Sequence, residues 1–229
     1  MNAADTCMNL TLFDLDGTLL QGDSDHAFGE FVIAQGWADG QAFRNRNDGF
    51  FADYQAGRLD IHAYVEFATA PWRDRGAAAL AQASQRFMQE VVQPMLPSAA
   101  HRLVQQHQVA GDLVAVVTAT NDFITRPIAD ALGIAELLAT ELQRDGQGQV
   151  TGAIRGQPCF REGKIARVQD WLAQRGLRFD SFERITFYSD STNDLPLLER
   201  VSHPVATNPS PALEQLAQQR GWPVLKLFT

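Results

Sequence analysis

The order of apolar runs predicts an α/β fold, a mostly parallel sheet with helices on both faces. Three observations carry that prediction. Short apolar runs recur well apart along the chain, and the stretches between the later ones have helical periodicity. Three of the runs end in polar side chains, as strands do where a parallel sheet gathers its functional groups.

The first strand is LTLF (10–13), which runs into the acidic turn DLDGT (14–18). From 21 to 96 the patterns are helical (HAFGEFVIAQGW, LDIHAYVEFA, AAALAQASQRFMQEVV), with no convincing strand. A helical insertion of that length after the first strand reads as a cap subdomain over a core formed by 1–20 and 97–229. Its hinges are expected near Leu20–Gly22 and Pro94–Pro97. LVAVV (113–117) is the second strand, and ITRPIADALGIAELL after it reads as helix. ELQRDGQGQVTGAIRG (141–156), with Gly146 and Gly148 between candidate strands, reads as a small hairpin. KIARVQDWLAQRGL is a helix before the third strand, ITFY (185–188). PVAT (204–207), PALEQLAQQRGW and PVLKLF (223–228) complete a strand, helix, strand ending.

Bulk properties narrow the function class. Hydrophobic content of 45% with 20% charged residues is ordinary for a buried core. A net charge of −8 and a pI near 5.0 argue against nucleic-acid or anionic-membrane partners. Cys7 and Cys159 make no disulfide framework, which suits a reducing cytoplasm. The N-terminal MNAADTCMN lacks the features of a signal peptide, and no apolar run is long enough to span a membrane.

Asp14 and Asp16 pose the chemical question. In an extended chain they face the same way, and two like charges so close need a cation, a shared proton or separate roles. An EF-hand fails on spacing, because Leu19 and Asp25 occupy its glycine and closing glutamate positions. VAVV brings Thr118 to the same sheet edge, where a threonine is ordinarily a helix cap. ITFYSDSTNDLPLL brings Asp190, and also Asp194, which could instead cap a helix starting near Leu195. Of 19 basic residues only Lys164 and Lys226 are lysines, and Lys164 suits a site wanting a compact ammonium, or a solvated helix start.

These groups fit a carboxylate attacking a phosphoryl group. A phosphate dianion about 4 Å from an aspartate meets repulsion of roughly 8 kcal/mol at an effective dielectric of about 20. A hard cation such as Mg²⁺ and a lysine would offset it.

On DLDGT (14–18), Thr118 ending VAVVT, Lys164 and DSTND (190–194), in that order, the chain resembles haloacid dehalogenase-superfamily phosphatases of the phosphoserine phosphatase branch. The resemblance covers nearly the whole chain and implies a Rossmann-like core, a cap after the first strand, and Mg²⁺ as cofactor. It implies Asp14 as nucleophile and metal ligand. Asp16 would be general acid/base and give the metal its backbone carbonyl. Thr118, Lys164 and Asn193 would lie at the phosphate; Asp190 would bind the metal and Asp194 support it. Dehalogenases of the superfamily lack an acid at the Asp16 position, so a phosphatase is expected.

The sequence departs from the phosphoserine-specific pattern. Asp23 stands where that branch has a glutamate that reads the substrate amine. Glu66, Phe67 and Ala68 fall where arginines would clamp a carboxylate, and Ala119 replaces a glycine. The expected substrate is therefore a small cationic or hydroxylated phosphomonoester, an amino-alcohol phosphate such as histidinol phosphate or phosphoethanolamine, with a sugar phosphate as the alternative. His26, His62, Trp37, Phe43, Phe50, Phe51 and Trp72 are expected to be ordinary cap residues, and Arg44, Arg46 and Arg58 solvated. Competing readings are phosphoserine phosphatase, a phosphotransferase or mutase, a phospho-acceptor signalling module, and a silent binding module.

Overall fold

The computed structural model describes residues 8–228. Cys7 and most of the N-terminal stretch read above lie outside the described residues. β1 (Asn9–Phe13) alternates, sending Leu10 and Leu12 into one apolar cluster and Phe13 into another on the opposite face. The chain then builds α1 (Ser24–Ala34), α2 (Gly40–Gln55) and α3 (Ile61–Thr69). Asp23 caps α1 by accepting the His26 amide at 2.8 Å, and Asp60 caps α3 through His62 and Ala63. α4 (Ala77–Phe87) passes through a widened π turn at Met88–Val92 into α5 (Gln93–Met95). α6 (Ser98–Val109) returns the chain to the sheet.

The remaining elements are β2 (Leu113–Asn121), α7 (Asp122–Ala131), β3 (Glu136–Thr140), β4 (Leu142–Arg144), β5 (Val150–Ile154), α8 (Glu162–Ala173), β6 (Arg184–Ser189), α9 (Leu195–Leu198), β7 (His203–Thr207), α10 (Pro211–Arg220) and β8 (Val224–Leu225). Six strands form a parallel sheet in the order β3-β2-β1-β6-β7-β8, and β4 and β5 pair as a separate antiparallel hairpin. Ala100 and Val104 of α6 and Ile124 and Ile128 of α7 cover one face. Val168 and Leu172 of α8, Leu198 of α9 and Leu213 of α10 cover the other. This is the expected α/β architecture with its hairpin.

The helices between β1 and β2 do not keep a separate interior. Phe28, Phe31, Trp72 and Phe87 share one cluster with Phe13, Val116 and Ile124. Trp72 stacks on Phe123 of α7 at 4.6 Å, and Phe28 meets Phe87 edge-on at 4.9 Å. The two chain crossings between insertion and sheet run side by side, Gln21 donating its amide to the Met95 carbonyl at 2.9 Å.

Four expectations need correction. ITRPIADALGIAELL is not helical throughout: Gly133, at φ +73, closes α7 after one left-handed residue, and Glu136–Thr140 pair with β2. β2 runs on to Asn121, so Thr118 lies within the strand rather than beyond it. α2 was not among the helical patterns, because it buries only Phe43 and Asn47 and has a weak apolar stripe. PVLKLF contributes only two strand residues, paired to the ends of β7.

Candidate active site

β1, β2 and β6 end together at the point where chain connections diverge to opposite faces, the usual ligand crevice of such sheets. The Asp14 amide donates to the Tyr188 carbonyl at 2.9 Å, extending the β1–β6 ladder by one residue. That contact fixes where the Asp14 carboxylate emerges. Its Oδ1 accepts from Lys164 Nζ at 2.8 Å and its Oδ2 from the Thr18 hydroxyl at 3.1 Å. Lys164, 1% exposed, also donates to Asp194 Oδ2 at 2.7 Å, and the Ser189 hydroxyl donates to the same oxygen at 2.7 Å.

Lys164 stands in the first turn of α8, and that turn is tightly seated. A Cβ on Gly163 would sit 2.1 Å from the Pro158 carbonyl oxygen, so glycine is required there. Asp16 is held from two sides: Oδ1 accepts the Ser24 amide at 2.7 Å and Oδ2 the Thr120 hydroxyl at 2.9 Å. Directly after the two acids, Gly17 has φ +71, and a Cβ there would stand 2.3 Å from Asp190 Oδ2. Asp190 thus packs directly on the backbone of the acidic turn. Asn208, itself at φ +44, donates through Nδ2 to the Gly17 and Thr18 carbonyls at 3.1 Å each.

Buried negative charge exceeds positive charge here. Burial drives the Asp14 carboxyl up to about 7 despite Lys164, with Asp194 and Asp16 adding to the rise. Burial, with the charge of Asp23, drives Asp16 up to about 7 as well. Asp190 is pushed well above the usual range by burial and by Asp14 and Asp194. Burial opposes the charge on Lys164, but Asp14 and Asp194 outweigh it and hold the ammonium protonated.

A pocket opens above these groups. Asp14, Asp16, Thr118 and Thr120 form its floor, Asp23 and Asp25 one side, and residues of α2 and α3 the roof. Thr118 is 1% exposed, and its hydroxyl oxygen accepts the Thr120 amide at 3.2 Å. No arginine lines this pocket among the described residues. Arg44 and Arg58 pair with Glu30 and Asp53 at the surface, and Arg46 lies over Phe50 and Phe67.

A family model for haloacid dehalogenase-like hydrolases matches residues 11–199. The chain belongs to the haloacid dehalogenase-like hydrolases. Among curated relatives, a histidinol-phosphatase of Neisseria meningitidis is 44% identical over 217 residues, covering 95% of this chain and 98% of that protein. Phosphoserine phosphatase SerB1 of Mycobacterium tuberculosis is 32% identical over 222 residues, 93% of this chain and 68% of that protein. A solved protein of unknown function from Bordetella pertussis Tohama I superposes with TM-score 0.92 at 46% identity, covering 97% of this chain and 100% of that one.

In this hydrolase the structure brings Asp14, Asp16, Lys164, Asp190 and Asp194 together and puts Thr118 in the pocket floor. Asn193 and Asp194, from the same segment, make different contacts. Asn193 donates its amide to the Tyr54 carbonyl at 2.9 Å, so it joins the sheet edge to α2. Asp194 Oδ2 accepts from both Lys164 Nζ and the Ser189 hydroxyl, so it pairs with the lysine. Asp23 both caps α1 and lines the pocket. His26 lines it too, paired to Asp48 at 2.8 Å, whereas His62 is exposed. Phe50 and Phe51 are pocket wall rather than cap interior, while Phe43 and Trp72 are buried in the core.

Thr120, Asp25, Asn47 and Asn208 join these groups without belonging to a sequence motif. Strand alternation puts Thr120 on the same side as Thr118 and would have revealed it. Nothing local in the sequence announces Asn208, which reaches the acidic turn across the tertiary fold.

The donor set fits Mg²⁺: oxygen atoms only, with surplus buried negative charge. The Asp190 carboxylate receives no side-chain hydrogen bond among the described residues. No three acidic, histidine or cysteine side chains converge tightly enough to hold an ion alone among those residues, so a backbone carbonyl would have to join them. The raised carboxyls set a testable stability profile. Unfolded aspartate titrates near 3.8 and folded Asp14 and Asp16 near 7, so metal-free stability falls as pH rises between those values and levels off above about 7. Thermal melts with chelator should be higher near pH 5 than near pH 8, and Mg²⁺ should raise the melt more at the higher pH.

Proposed function

We propose that this hydrolase is a Mg²⁺-dependent phosphomonoesterase working through an aspartyl-phosphate, with an amino-alcohol phosphate such as histidinol phosphate as substrate. The observation that carries the reading is the division of labour between two acids one residue apart. Asp14 is held by Lys164 and Thr18, whereas Asp16 is held by Thr120 and the Ser24 amide. One is oriented against a cation; the other is set beside it with a carboxyl that titrates near neutrality.

In this mechanism Asp14 attacks phosphorus in line, the P–O bond to the alcohol breaks, and Asp16 gives its proton to the departing oxygen. Asp16 then takes a proton from water, which opens the acyl phosphate and frees Asp14 and phosphate. Lys164 and the Thr118 hydroxyl bind the transferring group, and Asp194 keeps Lys164 in place. Asp14, Asp190 and the Asp16 carbonyl would hold Mg²⁺. When bound, the ion neutralises phosphate charge that would otherwise repel the attacking carboxylate.

The substrate side rests on the pocket's charge. Asp23 and Asp25 face the space where the leaving alcohol would lie, and no arginine is there to meet a carboxylate. That favours a cationic alcohol over serine, in line with the name of the Neisseria relative. The segment 21–96 would act as a cap, with Asn193 and Tyr54 as a contact that holds it closed. A cytoplasmic setting belongs to the same proposal; no helix among the described residues is long and apolar enough to cross a membrane.

The test is phosphate release with and without Mg²⁺ from histidinol phosphate, phosphoethanolamine, phosphoserine, a sugar phosphate and p-nitrophenyl phosphate. Mg²⁺-dependent release, with histidinol phosphate ahead of phosphoserine in kcat/KM, is expected. Phosphoserine as the best substrate would overturn the substrate class; no release from any ester would overturn the phosphatase.

A further inference from the structure

One wall of the pocket is not used by the chemistry at Asp14. α2 turns a single face inward, and Phe43, Asn47, Phe50, Phe51 and Tyr54 follow helical spacing along it. An amide interrupts an otherwise aromatic stripe. Asn47 is 2% exposed, and its hydrogen bonding among the described residues is one long contact, 3.5 Å from Nδ2 to the His26 carbonyl. Its carboxamide oxygen accepts nothing from the described residues, yet Asn47 lines the pocket. The open acceptor of this pocket-lining amide points to a ligand group that donates to it.

Asp25 is the second element of this wall. It lies in the first turn of α1, lines the same pocket, and has the Tyr64 phenol of α3 as neighbour. The Asn121 amide lies 3.5 Å from its Oδ1. Asp25 and Asn47 line the same pocket as Asp14 and Asp23, together with Phe50, Phe51 and Tyr64.

We propose that Asp25 and Asn47 form a second recognition subsite that reads a ring nitrogen at the far end of the leaving alcohol. This rests on the phosphatase reading for what occupies the pocket. Asp23 meets the amine next to the phosphate ester, and the ring lies among the aromatic side chains with its nitrogens on Asp25 and Asn47. An aromatic box by itself would accept a phenyl ring equally well; a buried carboxyl and an amide with an open acceptor would not. The substrate class is therefore phosphomonoesters of amino alcohols that carry a nitrogen heteroaromatic ring.

The experiment compares histidinol phosphate with phenylalaninol phosphate, which keeps the amine and an aromatic ring but removes the ring nitrogens. Wild-type kcat/KM should favour the nitrogen ring by about a hundredfold or more, because a polar site left unpaired rejects the apolar analogue strongly. Asn47→Leu and Asp25→Asn should each lower that ratio by about tenfold or more. The ratio is the readout, since a merely structural role would lower both esters alike. An unchanged ratio in both variants, or equal loss on both esters, overturns the subsite. Calorimetric binding of the free alcohols, histidinol against phenylalaninol, makes the same comparison without chemistry. If no ester is hydrolysed the phosphatase reading fails, and this binding comparison still decides the subsite.

Discussion

Lys164→Met should destabilise the metal-free protein by about 3–5 kcal/mol near neutral pH and leave no measurable turnover, because it strips the cation from a buried ion pair. Lys164 is 1% exposed and lies within 2.8 Å of Asp14 and 2.7 Å of Asp194. Without it, Asp14, Asp190 and Asp194 face one another in a buried site with no counter-charge. The pH dependence identifies the cause. Protonating the carboxyls removes the repulsion, so the deficit in urea melts should shrink near pH 5 and grow near pH 8. Arginine should not substitute, because a planar fork needs room that the tightly seated first turn of α8 does not provide. A wild-type melt at pH 8 would show that the acids do not depend on this lysine.

Asp14→Asn should abolish turnover by about 10⁴-fold or more, since the proposed nucleophile is lost while the fold is kept. Its effect on stability should have the opposite sign to that of Lys164→Met. Asp14 sits in the folded protein with a carboxyl near 7, raised by burial and neighbouring acids. Asparagine removes that charge, eases Asp190, and leaves Lys164 paired to Asp194. Melts of the metal-free variant near pH 8 should equal or exceed the wild type, and the gain should shrink near pH 5. Phosphate release from p-nitrophenyl phosphate measures the catalytic half. Residual activity within tenfold of wild type would remove Asp14 from the nucleophile's place. Two substitutions at one ion pair would thus both silence the enzyme while moving its stability in opposite directions.

The contrast follows from a site built with more acid than base, and it also explains the fold's most constrained positions. Gly17 and Gly163 are glycine because Asp190 and the Pro158 carbonyl occupy the space of a side chain. Asn208 ties the acidic turn to the C-terminal segment, accepting the Leu227 amide at 2.7 Å through Oδ1. These contacts spread the cost of holding like charges together over several elements.

Much of this was legible in the chain alone. Alternation put Asp14 and Asp16 at the end of a buried strand, and apolar runs placed Thr118 and Asp190 at neighbouring strand ends. The rarity of lysine singled out Lys164. The α/β class and the hairpin followed from periodicity and glycine placement, both of which act over a few residues. Partnership did not follow. Asp194 and Asp190 stand in the same DSTND segment, yet one binds the lysine and the other rests on Gly17. Asn193 belongs to that segment too and reaches out to Tyr54 of α2. Asn47 reads as an ordinary polar helix residue until α1 and α3 close round it. The sequence by itself determined which chemical groups arrive at the sheet edge, because strand period and turn residues are local properties. Only the tertiary structure decided which group each one meets, because hydrogen bonds of 2.7–2.9 Å depend on packing between elements far apart in the chain.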